Sequence, residues 1–240
     1  MSTFRDHASS VRNLNFDLII FDCDGVLVDS EVISCRTHAE ILTRHGYPIS
    51  VEQVHDRFLG RSSREARLEI ERELGRALPD DLDIQLRAEL YRSFEESLEA
   101  IPGIAQALGE ISQPVCVASS GSPERIRTSL TLVGLHERFA PNIFSAAQVT
   151  NGKPAPDLFL LAATQMQVPP GQSLVIEDSV PGVIAARAAG MTVLGFHGGS
   201  HCRPSTAAAL RDAGAVATFA DMRQLPALID RTAKQPAAVG

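Results

Sequence analysis

Two aspartates one residue apart, Asp22 and Asp24, close a short apolar run and are followed at once by Gly25. On an extended chain residues i and i+2 point to the same side, so both carboxylates can face one pocket. Like charges at that spacing repel unless a cation lies between them, and a hard ion such as Mg²⁺ suits oxygen ligands. Turn chemistry at a strand end is the competing account of the same residues. Three other polar clusters also follow apolar runs or precede helices. Ser119-Ser120-Gly121-Ser122-Pro123 sets hydroxyls and free N–H groups at a helix start, where they could bind an anion or simply cap the helix. Lys153, in Gly152-Lys153-Pro154-Ala155-Pro156, is held by a proline-stiffened backbone, although a lone loop lysine is usually just solvated. Glu177 and Asp178 end another apolar run. Adjacent acids there are costly without a compensating cation, so they read as metal ligands, with a helix N-cap at Asp178 or Ser179 as the alternative.

The elements that must carry these residues follow from periodicity. Leu18 to Phe21 reads as a buried strand, and Val115–Ser119, Asn142–Phe144, Ser173–Glu177, Thr192–Phe196 and Ala215–Phe219 read as further strands. Helices are expected near Ile104–Ile111, from Pro123 to Val133, about Pro156–Met166, Val180–Ala189 and Leu225–Ile229. Strands alternating with helices predict an α/β fold, a doubly wound parallel-sheet Rossmann-like core. Between residues 30 and 100 every periodic segment is helical. Ser50 and Ser63 are the expected caps of two helices there, and Asp80-Asp81 open another. The expected division is therefore a core of residues 1–29 and 101–240 with an all-helical domain of residues 30–100 spliced into it. The tail from about Thr232 is expected to be disordered.

A chain of 240 residues with 44% hydrophobic content can build a sizeable core. The net charge of −7 and the lack of a basic cluster argue against nucleic acid as a partner. No apolar run approaches a membrane span, and residues 1–15 lack the apolar stretch of a signal peptide. Cys23 and Cys116 lie in apparent strands, and none of the four cysteines shows C-x-x-C spacing. A cytoplasmic, monomeric protein with free thiols is expected.

The run Asp22-Cys23-Asp24-Gly25-Val26-Leu27-Val28-Asp29-Ser30 resembles the first signature of the haloacid dehalogenase superfamily, DxDG(V/T)(L/I)xDS. The other three clusters match the remaining signatures in order, across about residues 16 to 197, and the helical segment sits where that family carries a cap. The wording GKPAPD and EDS-x-x-G-x-x-A-A-x-A-A-G-M is similar to the β-phosphoglucomutase-like and sugar-phosphate phosphatase branch. The resemblance implies a Mg²⁺-dependent phosphatase acting on a small phosphorylated sugar or sugar acid. It implies Asp22 as the nucleophile that forms an aspartyl-phosphate, and Asp24 as acid and then base. It also implies Ser119, Ser120 and Lys153 as phosphoryl ligands, and Mg²⁺ on Asp22, the Asp24 carbonyl, Asp178 and Glu177.

Other members of the superfamily fit less well. Asp24 is absent from the dehalogenase branch, and a phosphonatase needs a lysine in the cap, where residues 30–100 hold none. A mutase is the alternative, but the position of its cap histidine is Ser34 here, with His38 one turn further on. The mutase arginine position is Ser63, between Arg61 and Arg64, which are candidates for a second anionic group of the substrate or else a solvated loop. A non-catalytic binding protein on the same fold is the remaining alternative. The run His197-Gly198-Gly199-Ser200-His201-Cys202 offers a faint signal of a second metal site; a loop after a strand is the favoured account, and the run is assigned no role.

Overall fold

Leu18-Ile19-Ile20-Phe21 alternates two apolar surfaces along four residues, and a strand is the conformation that lets both be buried. In the computed structural model, which describes residues 16–58 and 63–234, this segment is strand β1 (Leu18–Phe21) at the middle of a six-stranded parallel sheet. Its partners are β2 (Val115–Ser119) and β4 (Ser173–Glu177), with Ile20 level with Cys116 on one side and Val175 on the other. With β3 (Ile143–Ser145), β5 (Thr192–Phe196) and β6 (Ala217–Phe219) the order is β3-β2-β1-β4-β5-β6.

The alternation separates two cores. Ile19 and Phe21 pack with Val117 and Ile176 beneath α5 (Ile104–Glu110), α6 (Pro123–Leu132), α7 (His136–Phe139) and α11 (Leu225–Ala233). Leu18 and Ile20 face the other way, onto α8 (Asp157–Gln165), α9 (Val180–Ala188) and α10 (Thr206–Asp212). The sheet is therefore covered on both faces, as parallel strands require. From β1 the chain builds outward through β2 and β3, then returns to build β4, β5 and β6 on the other side. The crevice at that reversal, beyond the carboxyl ends of β1 and β4, is where open sheets of this kind bind ligands.

Between β1 and α5 the described residues form four helices, α1 (Glu31–Arg44), α2 (Val51–Phe58), α3 (Ser63–Leu74) and α4 (Leu82–Ser97). They share a separate apolar cluster that includes Cys35, Leu42, Val54 and Ile70. Ser50 and Gln53 cap α2 reciprocally, each side chain accepting from the other's backbone N–H. The connections leave and re-enter the core side by side. Asp29 N–H donates to the Glu99 carbonyl, and Ile101 N–H donates to the Leu27 carbonyl.

Three local expectations need correction. Helices α7 and α10 are not among the expected elements, and α10 offers only Leu210 as a buried residue, too little for a periodic signal. Thr232 is not in a disordered tail: it is buried in α11, its hydroxyl donating to the Leu228 carbonyl. Cys23 lies just past β1, not within it, and all four cysteines carry free thiols. Among the described residues no helix is long and apolar enough to cross a membrane.

Candidate active site

Asp22 is the first residue beyond β1, and its N–H still donates to the Ile176 carbonyl at 3.0 Å, so the neighbouring strand fixes its backbone. The chain then turns through Gly25, whose φ of +77° favours glycine. Space demands glycine as well, because a Cβ there would stand 1.9 Å from Asp178 Oδ2. That close approach brings the end of β1 against the end of β4. Asp22, Glu177 and Asp178 are all buried, with one carboxylate oxygen from each lying within 4.8 Å of the others.

Such a cluster demands positive charge, and the chain supplies part of it. Lys153 Nζ donates to Asp22 Oδ1 at 2.7 Å and to Glu177 Oε1 at 2.6 Å, from a side chain only 5% exposed. Burial disfavours the lysine charge, but the two carboxylates override it and hold the ammonium above its ordinary value. Glu177 is satisfied twice more, its Oε2 accepting from the N–H and the hydroxyl of Ser179. Ser179 is in turn the N-cap of α9. Asp178 Oδ2 accepts from His201 Nε2 at 3.0 Å. Burial raises the Asp22 carboxyl well above the usual carboxylate range; Lys153 opposes the rise, and Glu177 and Asp178 add to it. Burial also raises Asp178, against the hydrogen bond from His201. The lysine and the imidazole thus leave the carboxylates short of compensation. An all-oxygen donor set in that condition fits a small divalent cation such as Mg²⁺.

Asp24 stands apart from this trio. Its Oδ1 accepts from the Ser30 hydroxyl at 2.5 Å and from Arg125 Nη2 at 2.8 Å. Arg125 comes from the first turn of α6, and its guanidinium also lies 5.5 Å from the Phe94 ring centre in α4. Above both groups opens a cleft of about 410 Å³. Its walls include Asp22, Asp24, Ser119, Ser120 and Lys153 from the core and Glu31 and His55 from the helical insert. Burial, with the Asp24 charge adding to it, pushes the Glu31 carboxyl up to about 7.

The sequence-derived residues therefore sort clearly. Asp22, Asp24, Ser119, Ser120, Lys153 and Asp178 line one cleft, with Glu177 buried directly behind Lys153. Ser122, not Ser119, is the N-cap of α6, while the Ser119 hydroxyl accepts from Gly121 N–H at 3.1 Å. Arg64 is exposed at the start of α3, and Arg61 lies outside the described residues. His38 does not line the cleft, and its Nδ1 donates to the Ser34 carbonyl one turn back. Sequence reasoning missed Arg125 and Glu31 and assigned His201 no role. The first two lie in helix first turns beside the expected clusters, and His201 follows paired glycines at the end of a parallel strand, which is the signal that could have flagged it.

Comparisons with known proteins agree with this geometry. The family model described as haloacid dehalogenase-like hydrolase matches residues 16–190. The 6-phosphogluconate phosphatase of Escherichia coli is 33% identical over 88% of this chain and 94% of its own length. Among solved structures, a conserved haloacid dehalogenase-like protein from Agrobacterium tumefaciens is 44% identical. It superposes with a TM-score of 0.81 over 91% of this chain and all (100%) of the other. A family hydrolase from Deinococcus radiodurans with bound phosphate and sodium is 30% identical, with a TM-score of 0.76 over 93% of this chain and 100% of its own.

Proposed function

Because this chain belongs to the haloacid dehalogenase-like hydrolase family, we propose that it is a Mg²⁺-dependent cytoplasmic phosphatase of small phosphorylated sugars or sugar acids. One observation carries the reading: buried Lys153 bridges Asp22 and Glu177 in the wall of a cleft that Asp24 and Ser119 also line. Phosphoryl transfer asks chiefly for positioning and charge stabilisation, and this is a set of groups that provides both. The similar 6-phosphogluconate phosphatase supports the substrate class, and the phosphate and sodium bound in a similar hydrolase support a protein that takes up an anion and a cation.

In this reading an Asp22 carboxylate oxygen attacks phosphorus and an aspartyl-phosphate forms as the bond to the leaving oxygen breaks. Lys153 and Ser119 hold the phosphoryl oxygens, with Ser120 beside them, and Lys153 stabilises the charge that develops there. Asp24 gives its proton to the leaving alkoxide, then as carboxylate takes one from the water that hydrolyses the intermediate. Arg125 and Ser30 anchor the Asp24 carboxyl between these steps. Asp22, Asp178 and the Asp24 carbonyl would hold Mg²⁺, with Glu177 adjacent, and the ion supplies charge neutralisation at the phosphoryl group. We read residues 30–100 as a cap over the cleft, where Arg61 and Arg64 are candidates to meet a second anionic group. A cleft of about 410 Å³ suits a small metabolite.

The test is hydrolysis of p-nitrophenyl phosphate with and without Mg²⁺, followed by a panel of sugar and sugar-acid phosphates. Activity should require the ion and fall at least about 10⁴-fold in Asp22→Asn, whose amide is a poor nucleophile. A tenth of the wild-type rate in that variant refutes the assigned role. Efficient interconversion of glucose 1-phosphate and glucose 6-phosphate with little phosphate release would make the protein a mutase.

A further inference from the structure

We propose that His201 is a positioning residue for the cation site, its ring fastening one oxygen of Asp178 so that the other is presented to the ion. The inference rests on the Mg²⁺ reading above and adds to it a residue from outside the four sequence clusters.

The imidazole sits in a built seat. Its Nε2 lies 3.0 Å from Asp178 Oδ2, and the two side chains are only 9% and 6% exposed. A Cβ on Gly25 would come within 2.8 Å of its Cε1, and one on Gly199 within 2.9 Å of Cε1 and Nδ1, so the backbone of two glycines packs closely against the ring. Nδ1 is buried and has no hydrogen-bond partner among the described residues, which leaves the bond to Asp178 as the ring's principal polar attachment. Cys202 Sγ, at 3.5 Å from the same Nε2, is the weaker neighbour.

The loop that carries His201 is fixed at three further points. Ser200 donates to Asp29 Oδ1 from both its N–H, at 3.1 Å, and its hydroxyl, at 2.8 Å. His55 Nε2, from α2, donates to the His201 carbonyl at 3.1 Å. Arg203 pairs with Asp56, also in α2, at 2.6 Å. The ring therefore cannot slide along the sheet, and Asp178 cannot rotate without losing its donor. A carboxylate held by one oxygen is already oriented for an ion at the other, and outer partners of this kind are known to set metal affinity. The same three ties connect the carboxylate to the entry of the helical insert and to one of its helices.

Binding of Mn²⁺, followed by the loss of its free-ion electron paramagnetic resonance signal, tests this on the full chain without any turnover. His201→Ala and His201→Phe both remove the donor, and the second preserves the ring volume, so whichever folds decides the matter. Mn²⁺ affinity should fall about 10- to 100-fold. His201→Gln, which keeps a side-chain N–H, should recover most of the loss, and the Mg²⁺ concentration for half-maximal rate should move with it. Unchanged affinity in the donorless variants would reduce His201 to a packing residue, and tighter binding would make the ring a competitor for the cation's place. Either result overturns the proposal. A wild-type chain that takes up no Mn²⁺ removes the metal reading itself, and this inference with it.

Discussion

Every residue of β1 is fully buried, packed above and below by helices, whereas in α3 Ile70 alone is buried among the described side chains. The two regions meet at the cleft but hold their shape differently. The sheet is fixed by close packing on both faces, which tolerates little displacement. The insert has an apolar cluster of its own, but its α2–α3 side leans on half-exposed ion pairs. Arg57 reaches Glu69 at 2.8 Å and Glu73 at 2.6 Å, stacks on Phe58 and donates to the Tyr47 hydroxyl, while Arg67 holds Glu71 and the Leu78 and Pro79 carbonyls. Solvated networks of this kind are individually weak and can re-form after a shift. The groups proposed to react stand on the rigid side, and the wall proposed to select the substrate stands on the more adaptable side.

Removing a buried charge from the rigid side should do the most damage. Lys153→Met leaves Asp22 and Glu177 without their shared cation in a buried site. Catalytic efficiency should fall about 10²- to 10³-fold from lost stabilisation of the phosphoryl charge. Stability should fall too, by about 3–5 kcal/mol, because breaking a buried pair strands its partners. Denaturant unfolding and steady-state kinetics on one preparation check both. A variant as stable as wild type would mean that packing alone holds this end of the sheet.

The corresponding break in the insert should be milder and local. Arg57→Ala should cost about 1 kcal/mol, since its partners are already partly in water. Amide exchange should quicken across α2 and α3 and stay unchanged in β1 and β4. Equal quickening in the strands would show that the two regions unfold as one and end the contrast.

This division also governs what could be read from the sequence. The strands were legible because β1, β2 and β4 are short apolar runs with punctuation at both ends. Asp22, Lys153 and Asp178 were legible because their local motifs mark strand ends and a stiffened loop. Arg125 and His201 were not, because what gives them meaning is a pairing across 101 residues to Asp24 and a loop folded back onto β4. Parallel topology makes such meetings and leaves no periodic trace of them. In the insert the helices were legible, but not which side chains face the cleft. His55 and Glu31 do, while His38, which shares α1 with Glu31, does not.

Glu31 stands at the seam, as the first residue of α1 and part of the cleft wall, and it gives the finest test of where the rigid environment ends. Burial first, and then the charge of Asp24, raise its carboxyl from an ordinary 4.5 to about 7. In the unfolded chain the proton leaves near the ordinary value. Between those two points the folded protein holds a proton that the unfolded chain has released. Glu31 therefore contributes its full stability below about pH 4.5, and that contribution is lost as pH rises through about 7. Glu31→Gln removes this dependence while keeping the shape of the neutral acid. In EDTA, the Tm of the variant should gain on that of wild type between about pH 5 and 8, by on the order of a few degrees. Parallel Tm profiles would place the Glu31 carboxyl in water and move the seam inward, to Asp24 and the sheet itself.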